Sequence, residues 1–244
     1  MTDSLLQMRK FVAPEFVFGL GASRLAGQYA GNLSARRVLL VSDHGVQESG
    51  WTDVVRTSLE DSGLQCVPFL DITPNPKEHE VLHGAELFRS EKCDSIVVVG
   101  GGSPMDCAKG IGIVSSNDAH ILSFEGVDQV PVPGPPLICI PTTAGSSADV
   151  SQFAIIHDTQ RMVKIAIVSK TVVPDVSLID PELTATMGPE LTLHTGLDAL
   201  THAVEAYVST ASSAVTDLNA LEAVRLISQN LLTAVREPEN VEAR

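Results

Sequence analysis

Short continuous apolar runs alternate with helix-length amphipathic stretches through the first two thirds of the chain. Arg37 to Ser42 (RVLLVS) predicts a buried strand, followed by a turn at Asp43 to Gly45 and a helical segment from Trp51 to Asp61. A second strand is predicted near Leu64 to Leu70, and Pro74-Asn75-Pro76 then breaks the chain, because a residue before proline is pushed out of the helical region. Glu78 to Glu91 carries Val81, Ala85 and Phe88 on one face of a helix. Ser95 to Val99 is again a strand; it runs into a glycine cluster and a helix, and another strand follows at Leu137 to Ile140. Strands that are apolar on both faces and alternate with helices predict a parallel sheet covered on both sides.

Asp118 to Pro136 has a proline-rich end and predicts a loop, after which Val163 to Val168 and Val176 to Ile179 supply the last strand signals. From Pro181 the pattern is helical only, with segments Pro189 to Val208 and Ala214 to Val235. The change of texture places a domain boundary at residue 180, giving a 1–180 α/β domain and a 181–244 all-α part. Two helices hardly close a core of their own, so the all-α part is expected to be incomplete. Its uncovered apolar surface is expected to favour aggregation.

Charge narrows the functional classes. The chain of 244 residues has 16 Lys and Arg against 30 Asp and Glu, a net charge of −14. No basic run interleaved with aromatics is present, which argues against nucleic acid as a partner. An anionic ligand must therefore be held locally, by backbone N–H groups or a few cations. The N-terminal stretch lacks the pattern of a signal peptide, and no apolar run approaches the roughly 20 residues that span a bilayer. Cys66, Cys93, Cys107 and Cys139 are widely spaced without a CxxC pair and are expected to be reduced core thiols. The expectation is a soluble, cytoplasmic protein with no membrane partner.

The sharpest local feature is Val97-Val98-Val99-Gly100-Gly101-Gly102-Ser103-Pro104-Met105-Asp106. An apolar strand ends in three glycines, and the next helix is expected to open with Ser103 as N-cap and Pro104 at its first position. Such a turn brings phosphate oxygens onto backbone N–H groups at a helix start. The same residues also suit a tight turn that needs glycines at positive φ. A second corner, Pro141-Thr142-Thr143-Ala144-Gly145-Ser146-Ser147, offers small hydroxylated residues at a strand's carboxyl end, where open α/β sheets bind ligands, though an ordinary capped loop reads the same way. Asp43 follows the first predicted strand, where an acid accepts ribose hydroxyls and repels a 2′-phosphate, favouring NAD over NADP; a plain surface turn is the alternative.

In the helical part, Thr195-Gly196-Leu197-Asp198-Ala199-Leu200-Thr201-His202-Ala203 sets a carboxylate and an imidazole four residues apart. That spacing puts both on one helix face, about 5–6 Å apart at Cβ, where they either share a metal or form an intrahelical ion pair. Leu197, Leu200, Val204 and Val208 form the neighbouring apolar stripe, which predicts that the pair lies near the core boundary. His44, His79, His83, His120, His157 and His194 are expected in turns or on solvated faces. Ser146 and Ser147 have no GxSxG context, which removes support for a serine hydrolase.

The segments Gly100 to Asp106, Pro141 to Ser146 and Gly196 to Glu205 stand in an order and spacing that closely resemble the iron-containing (group III) alcohol dehydrogenases, of the lactaldehyde and 1,3-propanediol reductase type. The resemblance spans essentially the whole chain. It implies an N-terminal NAD(P)-binding domain, a C-terminal helical metal domain and an active site in the cleft between them. It further implies that Gly101, Gly102 and Ser103 hold the pyrophosphate and that Asp43 and Asn75 lie along the adenosine. Thr142, Thr143, Ser151, Phe153, Lys164 and Leu183 would line the rest of the groove.

Asp198 and His202 match the family's first two metal ligands, for ferrous iron or, with the same donor types, zinc. The family adds two histidines further downstream, and Arg244 precedes any such segment. Asp149 stands where a glutamate is usual, and Ser146 and Ser151 where threonine is common. The implied activity is hydride transfer between a small alcohol or diol and NAD in a homo-oligomer. A non-catalytic NAD-binding or assembly module, and a dehydroquinate-synthase-like lyase that recycles its cofactor, are the alternatives.

Overall fold

The computed structural model describes residues 10–244. In chain order its elements begin with β1 (Glu15–Phe18), α1 (Ala26–Asn32), β2 (Arg37–Val41), α2 (His44–Glu48), α3 (Trp51–Asp61) and β3 (Gln65–Phe69). They continue with α4 (Glu78–Ser90), β4 (Ser95–Gly100), α5 (Gly102–Ser116), β5 (Gly126–Val127), β6 (Leu137–Pro141) and β7 (Phe153–Asp158). The last are β8 (Val163–Val168), β9 (Val176–Ile179), α6 (Pro189–Val208) and α7 (Ala214–Arg236). Val12–Thr142 and Ser147–Asp180 form one compact unit, and Pro181–Arg244 with Thr143–Ser146 belongs to a second.

The first unit is built on a six-stranded, wholly parallel sheet in the order β1-β9-β6-β4-β2-β3. Side chains alternate across it, as a strand requires. Leu39, Val41, Ile96, Val98, Leu137 and Cys139 join the core shared with α4 and α5. Their neighbours Val38, Leu40, Val97, Val99, Ile138 and Ile140, each no more than 2% exposed, lie on the opposite face, which α1 and α3 cover. The α/β class expected from the sequence is what forms, with a helical C-terminal part.

Several expectations need correction. Val163–Val168 does not join the parallel sheet: β8 pairs antiparallel with β7 and parallel with β5 in a separate three-stranded sheet. The cause is local, since Asp158 Oδ1 accepts the N–H groups of Gln160 and Arg161, both at 2.9 Å, and folds the chain into a hairpin. The small sheet contributes Ala154, Ile156, Ile165 and Ile167 to the core beside α5. The supposed loop Asp118 to Pro136 contains β5 and a 3-10 turn at Ile121–Phe124. The turn after Ser42 is the start of the short helix α2, capped by Asp43. Strands β1 and β7 and helix α1 are additions to the expected set.

In the second unit α6 packs on α7, and Gly196 marks the close approach: a Cβ there would lie 2.3 Å from Leu231 Cδ1. Ser213 caps α7, accepting the Thr216 N–H. The apolar stripe of α6 does not mark a core boundary, because Leu197, Val204 and Val208 are 46%, 45% and 69% exposed. Only Thr192 and Ala203 of α6 are buried by the described residues.

All four cysteines are free thiols, Cys66 half-buried and the others buried. Burial pushes Cys66 and Cys93 up to about 11, which makes them poor nucleophiles. No helix among the described residues is long and apolar enough to cross a membrane.

The α4–α5 crossing supplies a test of packing. A Cβ on Gly84 would stand 2.3 Å from Ile111 Cδ1 and 3.1 Å from the Phe69 ring. Gly84→Ala is expected to destabilise the protein by about 1–3 kcal/mol through overpacking. In an Ile111→Val background, which removes the nearest carbon, the loss should shrink; a denaturant double-mutant cycle reads the coupling.

Candidate functional site

The sheet order creates a switch point. From β2 the chain runs through α3 to β3 on one side, and α4 then carries it back to β4 on the other side of β2. Crevices at the carboxyl ends of such strands are the ligand sites of open α/β sheets. Ser42 ties this point together, fully buried: its N–H donates to Phe69 O at 3.0 Å and its hydroxyl to Val99 O at 2.7 Å. Thr52 Oγ1 in turn donates to Ser42 Oγ at 3.1 Å. Asp43, immediately after, is half-buried; its Oδ1 accepts the Val46 N–H at 2.9 Å, which leaves Oδ2 clear of the cap.

Across the switch point β4 ends in the glycine turn. Gly100 is glycine for a packing reason and not for positive φ: a Cβ would stand 2.7 Å from Pro104 Cγ. The N-cap of α5 is Gly101, extended at φ −85° and ψ −162°, and Ser103 is inside the helix. Since no side chain caps α5, its first N–H groups are left for a ligand, as an anion site at a helix start requires. Ser103 Oγ instead accepts the Asn75 N–H at 3.1 Å. Asn75 reaches that position from left-handed backbone, φ 59°, which asparagine tolerates better than most residues. On the far side Thr142, buried at the end of β6, donates its N–H to Gly100 O at 3.0 Å.

The structure thus brings Asp43, Asn75, Gly101, Gly102, Ser103 and Thr142 to the carboxyl ends of β2, β4 and β6 or the loops that follow them. Ser151 and Phe153 lie at the entry to β7, hydrogen-bonded through Lys109 of α5, and Lys164 is exposed on β8. Asp106, also on α5, is half-buried, and burial pushes its carboxyl up to about 7 against the opposing pull of Lys109 and Lys164. In the second unit Thr143 is half-buried and Leu183 is fully buried in the 3-10 turn Pro181–Thr186.

Asp198 and His202 sit on α6 with Asp198 Oδ1 3.9 Å from His202 Nε2, both half-exposed. His202 Nδ1 is 3.0 Å from Gly145 O. A carbonyl only accepts, so Nδ1 carries a proton, and in the neutral ring Nε2 then presents its lone pair beside the carboxylate. That is the tautomer a metal-binding histidine adopts when a backbone carbonyl orients its other nitrogen. With metal–ligand bonds of about 2.0–2.2 Å, one ion reaches two donors up to about 4 Å apart, so the pair fits a shared divalent metal.

Gly145 approaches the helix so closely that a Cβ would lie 2.6 Å from Thr195 O. Sequence reasoning missed this carbonyl and the Ser42 bridge, although glycine at 145 was a visible sign of close backbone approach. Among the described residues no group of three or more His, Cys, Asp or Glu is placed to hold a metal. Of the other histidines, His44, His79, His83, His120 and His194 are exposed, whereas His157, expected in a turn or on a surface helix, is half-buried within β7.

A doubly wound parallel sheet with a glycine turn at its switch point is a scaffold of the nucleotide-binding type. The chain belongs to the iron-containing alcohol dehydrogenase family, whose model matches residues 13–181, with the family's C-terminal model matching residues 192–244. A 1,3-propanediol dehydrogenase of Citrobacter freundii is 42% identical over 93% of this chain and 59% of its own length. An NAD-dependent methanol dehydrogenase of Bacillus methanolicus is 37% identical over 96% of the chain and 61% of its own. The crystal structure of a 1,3-propanediol oxidoreductase superposes with a TM-score of 0.95 at 39% identity, over 97% of this chain and 62% of that one. The chain therefore spans about three fifths of the length of these relatives.

Two outcomes are expected. Gly145→Ala forces the loop away from Thr195, so His202 should lose its single tautomer; nitrogen NMR of the imidazole reads the change. Asp106 binds a proton more tightly folded than unfolded, so its own contribution to stability is full below about pH 4 and is lost as pH rises through about 7. Asp106→Asn should flatten that slope in thermal melts recorded between pH 4 and 8.

Proposed function

We propose that this chain provides the nucleotide-binding part and two metal ligands of an NAD-dependent alcohol dehydrogenase acting on a small primary alcohol or diol and the matching aldehyde. Residues 1–180 are the NAD-binding domain and 181–244 the beginning of the metal-binding domain. The observation that carries the reading is the 3.0 Å contact of His202 Nδ1 with Gly145 O, which holds the ring with Nε2 beside Asp198 as metal-binding histidines are held. The relatives' activities toward 1,3-propanediol and methanol support the substrate class.

When bound, NAD supplies the two-electron acceptor and the divalent metal, ferrous iron in the first instance and zinc as the alternative, supplies a Lewis acid. The chain's own residues do the rest. The uncapped N–H groups at the start of α5 receive the pyrophosphate, which suits a protein whose net charge of −14 offers no general attraction for anions. The carboxylate of Asp43 accepts ribose hydroxyls and repels a 2′-phosphate, which favours NAD over NADP. Asp198 and His202, the residues read as catalytic, would hold that metal between Oδ1 and Nε2.

The protein works in the cytoplasm, in keeping with four free cysteines. It acts as a homo-oligomer of at least two copies, a reading supported by the edge strand β1, whose Phe16 and Phe18 are 54% and 75% exposed.

A second reading, NAD binding without turnover by this chain alone, is favoured by the two-ligand count among the described residues, since a catalytic metal takes at least three protein ligands. Calorimetric titration with NADH and NADPH tests the shared part: saturable binding with NADH preferred is expected, and no binding of either overturns both readings. A following assay with 1,3-propanediol, NAD and ferrous iron separates them. Net NADH formation supports the enzyme and excludes a cofactor-recycling lyase. His202→Ala should lose retained iron with NADH affinity intact.

A further inference from the structure

We infer that Lys109 is a positioning residue for the dinucleotide: its buried ammonium fixes the backbone from Ser151 to Phe153, so that this wall of the groove is formed before the cofactor arrives. The inference rests on the reading of Ser151 and Phe153 as groove residues, and it concerns a side chain that itself meets no nucleotide.

Lys109 projects from α5 two turns beyond the glycine turn and is 2% exposed. An ammonium carries three donors, and in a site closed to water each needs an acceptor. Three are present: Ser151 O at 2.8 Å, Phe153 O at 2.8 Å and Ser151 Oγ at 3.3 Å. All three belong to one three-residue stretch. Asp149, and Asp106 once pH rises through about 7, supply negative charge around the ammonium, and Cys139, whose thiol burial keeps neutral, completes its titratable surroundings. Burial lowers the Lys109 pKa from its usual value, because the charge has been withdrawn from water.

Packing alone does not call for this residue. The neighbouring positions Ala108, Gly110, Ile111 and Gly112 show what the site accepts, and an apolar side chain of similar length would avoid the desolvation of a charge. What an ammonium adds is a grip on two carbonyls from within. Ser151 Oγ accepts from Lys109, which leaves its own proton to donate outward, and Phe153 is turned out with 43% exposure.

The stretch is pinned on its other side as well. Ser147, at φ 53°, accepts the N–H groups of Val150 and Ser151 at 3.1 and 3.0 Å, and Asp149 Oδ2 accepts the Ser177 hydroxyl of β9 at 2.8 Å. A wall held in this way is not ordered at the expense of binding free energy, and preorganisation of that kind is a main source of affinity.

The test compares NADH affinity, by calorimetry and NADH fluorescence, for the wild-type chain, Lys109→Met and Ile111→Ala. Methionine keeps the stem and removes the charge; Ile111→Ala hollows the same helix without touching the Ser151–Phe153 stretch. Lys109→Met is expected to raise the NADH Kd tenfold or more and to speed amide exchange at residues 150–155. Ile111→Ala should lower the melting temperature and leave the Kd unchanged. A folded Lys109→Met with wild-type Kd overturns the inference.

Should Lys109→Met not fold, hydrogen exchange on the wild type decides. Protection of residues 150–155 without NADH supports preorganisation, and free exchange until NADH is added overturns it. Absence of NADH binding by the wild type removes the groove reading itself, a result distinct from wild-type binding that survives loss of the ammonium.

Discussion

A helix enclosed on every side has no solvated face on which to place polar groups or to absorb an error in packing, and α5 is such a helix. The six-stranded sheet covers one side of it and the β7–β8 sheet the other, so that from Pro104 to Val114 every residue except Asp106 is buried. Its small residues set the distances to its neighbours. Gly110 lets Val81 come within 3.0 Å of where a Cβ would stand, and Gly134 approaches the Gly112 backbone at 3.2 Å in the same sense. The start of the helix is fixed by the Gly100–Pro104 contact, its middle by the crossing with α4. The anion-type turn at one end and the Ser151–Phe153 stretch beside its second turn are therefore held in one rigid frame.

Much of this frame is legible in the sequence because its strands are apolar on both faces and need no tertiary information to be recognised. Val97 to Val99 and Leu39 to Val41 announce themselves. β7 does not, since its inward positions are Ala154, Ile156 and Asp158, and a buried carboxylate that turns a hairpin looks like a surface residue until its N–H partners are seen. β1 is four residues of an edge strand with exposed phenylalanines, too short to carry a period. The site divides in the same way. Side chains such as Asp43, Asp198 and His202 are visible from their type and spacing, whereas the Gly145 carbonyl and the Ser42 bridge depend on which backbones meet. Lys109 was hidden for a related reason: a lone lysine in a helix is ordinarily solvated, and only the second sheet closes over it.

The Thr142–Ser147 corner shows how one short loop serves two chemical ends. Thr142 stays with the parallel sheet, bonded to Gly100, while Gly145 lies against Thr195 and orients His202. Small residues let the backbone itself orient the imidazole, so little in the loop can change size without moving a hydrogen bond.

The placement of β1 has a consequence for how the chain is made. Among the described residues β1 pairs with β9 alone, and Ser23 bonds Asp180 through both its N–H and its hydroxyl, 157 residues away. On the ribosome the first strand therefore emerges long before its partner exists. At roughly 5–20 residues per second the wait is roughly 8–30 s, during which Phe16 and Phe18 stand without the sheet they will join. The core strands β2, β3 and β4 find one another early, and the N-terminal strand closes the sheet last. Strand order thus leaves an apolar edge uncovered for longest at the start of the described fold.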